Sequence, residues 1–135
     1  GFLEVFDISS ERILARQPVR LPQERGRWVK VFFLDESGRP FPAIRRIPST
    51  PAVAREALRA LLSGPTLLEE RAGLRSSAPE GTELLSLEIS RGKAVAVFSV
   101  PDPEDPCLEP FSLQVERTLL QFTGISRVEI SCIQI

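Results

Sequence analysis

The stretch Ala52–Leu85, AVAREALRALLSGPTLLEERAGLRSSAPEGTELL, decides the fold. Val53, Ala54, Ala57, Leu58, Leu61 and Leu62 recur at helical spacing, while Arg55, Glu56 and Arg59 lie elsewhere on the wheel. Ser49-Thr50-Pro51 opens this helix: the Thr50 hydroxyl accepts from free amides, and Pro51 suits the first helical position. Gly64 supplies the left-handed residue that ends it, and Pro65 prevents its resumption. A polar connector with Gly73 follows, and Pro79-Glu80-Gly81-Thr82 leads into an apolar strand.

Upstream, Trp28–Leu34 is β-branched and aromatic and ends at the turn residues Asp35-Glu36-Ser37-Gly38. Phe41–Ile47 is a second, short strand restricted by Pro40, Pro42 and Pro48. Downstream, Thr82–Ser90 and Ala94–Val100 flank Arg91-Gly92-Lys93 as a hairpin, with Leu85, Leu87 and Ile89 alternating against Ser86 and Glu88. An acidic Pro-rich loop, PDPEDP at 101–106, precedes a second helix over Pro110–Phe122. Its apolar face is Phe111, Val115, Leu119 and Phe122, and Gly124 terminates it. The last strand, Ile125–Ile135, carries Val128, Ile130, Cys132 and Gln134 on one side. This order predicts an α+β two-layer sandwich, with two helices on one face of a small mixed β-sheet.

Residues 1–26 read as a leader or linker in which FLEVFDI (2–8) forms a short extended piece and Gln17-Pro18 and Leu21-Pro22 break regularity. The domain is expected over 27–135. With 135 residues and a 42% apolar share, the chain can bury one core. No apolar run approaches the roughly 20 residues that span a bilayer. The opening Gly1 and the absence of Met lead us to expect a piece of a longer protein. Charge is split: residues 1–75 carry about +4 and residues 76–135 about −5, which reads first as signs that intermix once the chain folds and second as a dipole suited to head-to-tail contacts between copies. The overall charge of −1 lacks the basic excess of a nucleic-acid binder.

Chemistry is sparse. The chain has no His, which removes Ser-His-Asp and Cys-His nucleophiles and the commonest metal ligand. Lys30 falls inside a strand and Lys93 in a turn, neither near a Ser-x-x-Lys arrangement. Asp102, Glu104 and Asp105 match no calcium loop and read as a solvated acidic loop. No catalytic, cofactor or metal residue is therefore assigned. Arg45-Arg46 is the notable charged pair. One reading is a carboxylate or phosphate site on a partner; the other pairs one Arg with a carboxylate such as Glu70 and leaves its neighbour solvated. Cys107 precedes the second helix and Cys132 lies in the returning strand. A helix of about 15 residues and seven strand steps each cover about 22–23 Å, which brings the thiols to one level and a disulfide within reach. Such a bridge would fit an oxidising, extracytoplasmic location.

Beside that reading, the chain resembles the GerMN domain of sporulation and spore-germination proteins and of some bacterial envelope lipoproteins. The resemblance rests on the VKVFFLD strand, an Arg before the first helix, and Ala57-Leu58-x-x-Leu61-Leu62-x-Gly64-Pro65-Thr66. Glu70, Gly73-Leu74, Pro79-x-Gly81-Thr82-x-Leu84, Gly92-x-Ala94, Ser99, Thr118-Leu119 and the Val128 strand follow in order. The chain departs from the family at Val97, where an Asp is common, and at its Ile133-Gln134-Ile135 ending. The resemblance implies a fold like the ring-building domains of envelope secretion machines. It also implies a non-enzymatic, extracytoplasmic assembly module, tied to a membrane only through a missing N-terminal anchor, whose partners are envelope proteins or further copies. Its expected contact residues are Arg55 and Arg59 on the exposed helix face, with Arg45, Arg46 and an unpaired sheet edge. The alternative is a sensor of cell-wall fragments or a small germinant, with Arg45 or Arg46 converging on a pocket.

Overall fold

The computed structural model describes residues 26–134. The expected leader, including FLEVFDI, lies outside them apart from Gly26. Strand β1 (Arg27–Leu34) pairs antiparallel with β2 (Pro40–Ile47), from Arg27 opposite Ile47 to Leu34 opposite Pro40. The turn closes on Asp35, whose Oδ1 accepts from the Arg39 and Ser37 amides and the Ser37 hydroxyl. These bonds, the Arg39 amide foremost, hold its carboxyl below the usual carboxylate range. Alternation sorts the strands into two faces: Val29, Val31, Phe33, Ala43 and Ile47 are buried, whereas Trp28, Lys30, Ile44 and Arg46 are exposed. The prolines of β2 are tolerated because it is an edge strand.

Helix α1 (Val53–Leu62) buries Ala54, Ala57, Leu58 and Leu61, as the periodicity requires. It starts at Val53, and Thr50 accepts from the Ala52 amide one turn before it. Gly64, at φ +84°, ends it. Within the connector lies an unexpected third helix, α2 (Leu67–Arg71), held by a reciprocal Thr66–Glu69 capping box.

Strands β3 (Glu83–Ser90), β4 (Lys93–Ser99) and β5 (Arg127–Ile133) form a separate sheet in the order β3-β4-β5, so the expected single sheet is two small ones. β3 and β4 are antiparallel around Arg91-Gly92, both at positive φ. The parallel β4–β5 pair is bridged by α3 (Leu108–Leu120), the crossover such a pair needs. A bulge leaves Leu85 unpaired, which breaks the expected alternation. Leu84 and Leu87 pack on the core, while Leu85 faces solvent. α3 buries Phe111, Val115 and Leu119. It ends at Leu120, four residues before Gly124, so Gly124 is not its terminator.

The outer edge of β1 is closed by side chains rather than by a strand. Gln114 donates to the Phe32 carbonyl at 2.9 Å and accepts from the Ser77 amide at 2.8 Å. Thr118 Oγ1 accepts from the Phe32 amide at 3.1 Å, and Gln121 bonds both the amide and the carbonyl of Lys30. Leu34 completes the edge by exchanging amide bonds with Arg75. Gln114 and Thr118 are fully buried, so this stripe at i, i+4 and i+7 satisfies both itself and the strand.

Cys107 and Cys132 are free thiols, which corrects the disulfide expectation. Matched rise along a helix and a strand fixes the level of two residues and not the distance across, which a disulfide also requires. Cys107 is exposed at the start of α3, its amide bonded to Asp105 and its carbonyl to the Ser77 hydroxyl, on the flank where Gln114 ties Ser77 to β1. Cys132 sits on β5 against the core, and burial raises its thiol pKa.

Candidate interaction surfaces

Arg45 and Arg46 are neighbours in β2, so their side chains leave opposite faces of the hairpin. Arg45 lies on the inner face opposite Val29, with its guanidinium 5.5 Å from the Phe33 ring centre. Its two nitrogens make a forked pair with Glu69, at 2.6 and 2.8 Å, and Glu69 also accepts from the Thr66 amide. The partner is thus Glu69, not Glu70. Arg45 foremost, with Thr66, holds the Glu69 carboxyl at a pKa of about 2, and the same pair raises that of Arg45. Arg45 is committed to fastening α2 onto the hairpin.

Arg46 points outward, its guanidinium 5.6 Å from the centre of the Trp28 ring. The two residues are paired in the β1–β2 register, and Lys30 opposite Ile44 comes next. Trp28 is 65% and Ile44 52% exposed. With half-buried Phe32 and exposed Pro42 they make a continuous apolar face flanked by two cations. The two arginines therefore do not converge with each other, and neither lines the cleft beside Arg55 or the hollow between α3 and β5.

Arg59 is exposed on α1 and pairs with Glu56 at 3.3 Å. Arg55 is half-buried beside a cleft of about 200 Å³ between the start of α1, β3 and the segment after α3, lined mainly by Pro51, Val53, Leu87, Ile89, Phe122 and Ile125. A second hollow, about 520 Å³ and more open, runs between α3 and β5. Pro110, Leu113, Val128 and Ile130 supply its apolar lining, and Glu109 and Glu116 its charges. β5 pairs with β4 on one side only, so the sheet edge at this hollow is unpaired among the described residues. In the 101–106 loop, Asp102 accepts from the Glu104 amide and Asp105 from the Cys107 amide. No group of three potential metal ligands occurs among the described residues.

The family model described as "Germane: Sporulation and spore germination" matches residues 30–132. The chain belongs to the Germane family. The fold of this Germane domain is similar to that of the tandem GerMN domains of the sporulation protein GerM from Bacillus subtilis (TM-score 0.63, 22% identity, 79% of this chain and 39% of that one). It is also similar to the first GerMN domain of that protein (TM-score 0.59, 24% identity, 78% and 81% covered). A candidate lipoprotein of Clostridium perfringens matches at TM-score 0.50 and 16% identity, over 85% and 80% of the two chains. No curated protein sequence matches the chain. The Germane domain therefore spans 39% of the tandem chain. No helix among its described residues is long and apolar enough to cross a membrane.

Proposed function

We propose that this Germane domain is a protein-interaction module of the bacterial envelope, acting by surface contact outside the cytoplasm rather than by catalysis. The observation that carries the reading is the outer face of the β1–β2 hairpin. There Trp28 and Ile44 stay exposed beside Lys30 and Arg46, although the same strands bury Val29, Val31 and Phe33 completely or nearly so. Exposed aromatic residues with Arg are the composition of interface centres. The buried polar groups Gln114 and Thr118 are spent on the β1 edge, and Arg45 and Glu69 on each other, which leaves them no catalytic task. Likeness to a sporulation protein and to a candidate lipoprotein supports an envelope location. The sensor alternative has less support, because Arg45 is held by Glu69 and neither Arg45 nor Arg46 lines the cleft beside Arg55 or the α3–β5 hollow.

The test is photo-crosslinking in envelopes, with a crosslinking amino acid at position 28 or 44. A protein neighbour captured from both is the expected result. Its absence, together with Trp28 fluorescence shifting on addition of muropeptides, would favour the sensor instead.

A further inference from the structure

The geometry points to a second copy of the same chain as a partner: the outer hairpin face of one copy seats in the α3–β5 hollow of the next. This rests on the reading of the domain as an interaction module and specifies what it binds. The two surfaces match in chemistry. The hairpin face is apolar at Trp28, Phe32, Pro42 and Ile44, and its charged members, Lys30 and Arg46, are both cations. The hollow is apolar at Pro110, Leu113, Val128 and Ile130, and its charged members, Glu109 and Glu116, are both anions. An apolar centre with opposite charges at its margin is what docked protein surfaces share. At about 520 Å³ the hollow has room for a projecting side chain as large as an indole.

The two surfaces cannot meet within one copy. Gln114, Thr118 and Gln121 tie β1 to one flank of α3. Leu113 and Glu116 line the hollow on the other flank. The contact is therefore between molecules and heterologous, with a donor face and an acceptor hollow left free at each end of any assembly. Repetition of such a contact gives a ring if it closes and a filament if it does not. It also gives a place to the sequence-level charge split, since the donor face lies in the basic half and the hollow in the acidic half. An anionic membrane surface would also attract Trp28, Lys30 and Arg46, but it gives the acidic apolar hollow nothing to bind.

Sedimentation velocity on the whole 135-residue chain, from about 1 μM to 1 mM at low and high salt, tests this. Association that rises with concentration and weakens with salt is expected. Two double variants, Lys30→Glu with Arg46→Glu and Glu109→Lys with Glu116→Lys, change exposed residues only. Each alone should associate at least about 10-fold more weakly, with an unchanged circular dichroism spectrum. Mixing the two should restore association, because opposite charges again face each other at every contact. Trp28→Ser should weaken association without a charge change. A wild-type chain that stays monomeric at 1 mM overturns the proposal. So do hollow variants that associate normally, or binding to phosphatidylserine vesicles with no self-association. If the wild type is monomeric but position 28 crosslinks to a different envelope protein, self-pairing fails and the interaction module stands. If neither occurs, both fail.

Discussion

The two faces of the β1–β2 hairpin are built from alternate residues of the same sixteen-residue pair of strands, yet they do different work. The inner face holds Val29, Val31 and Phe33 against α1 and α3, and even its charged residue, Arg45, is turned to structural use by Glu69. The outer face carries side chains of comparable hydrophobicity and leaves Trp28 and Ile44 in solvent. Burial explains Val29, Val31, Phe33, Ala43 and Ile47 of the first face. It does not explain why the second keeps a tryptophan and an isoleucine, and that difference directs attention to binding.

The contrast is broken most strongly by truncation. Phe33→Ala should cost about 3–5 kcal/mol through cavity formation, whereas Trp28→Ala should stay within about 0.5 kcal/mol; urea unfolding reads both. If the two cost the same, the faces are not distinct.

The closed edge of β1 comes next. Gln114→Leu removes partners from the Phe32 carbonyl and the Ser77 amide and should cost about 2–3 kcal/mol, the toll of leaving buried polar groups unpaired. Loss of amide protection at Ser77 in hydrogen exchange would accompany it. Thr118→Val should cost about 1–2 kcal/mol by freeing only the Phe32 amide.

The Arg45–Glu69 fork gives a smaller and pH-dependent effect. The folded pKa of Glu69, about 2, lies below its ordinary 4.5. Its contribution is therefore fully present above pH 4.5 and is lost as pH falls toward 2. Since both side chains are partly exposed, about 1–2 kcal/mol is expected. Glu69→Gln should remove that much at pH 7 and flatten the acid limb of a stability profile between pH 4.5 and 2. An unchanged limb would show that another carboxylate governs it. On the outer face, Arg46→Ala should change Trp28 emission while altering stability by less than about 0.5 kcal/mol.

Much of this fold was legible before its structure. Helical spacing found α1 and the core face of α3, and β-branched runs around turn residues found the strands. Three features were missed for physical reasons. The short α2 buries nothing, so it has no apolar period, although the Thr66-x-x-Glu69 capping box was present in the sequence. Gln114, Thr118 and Gln121 have helical spacing too, but a polar stripe ordinarily signals solvent, and only the bare edge of β1 makes it structural. The bulge at Leu85 shifts the phase of β3 with no Gly or Pro to announce it. Of the candidate contact residues, strand alternation already separated Arg45 from Arg46, but which of them pointed inward required the core. The cysteines show the limit of one-dimensional measure, since matched rise along two elements says nothing of the distance across them.

The central claim is that the outer hairpin face is idle in folding and used in binding. The most direct measurement is the double variant Trp28→Ser with Ile44→Ser, assayed both for its urea midpoint and for the envelope neighbours it crosslinks from a probe at position 42. A stability within about 1 kcal/mol of wild type, together with loss of the neighbour, is the predicted result. A variant that unfolds as readily as Phe33→Ala, or one that keeps its neighbour, would contradict it.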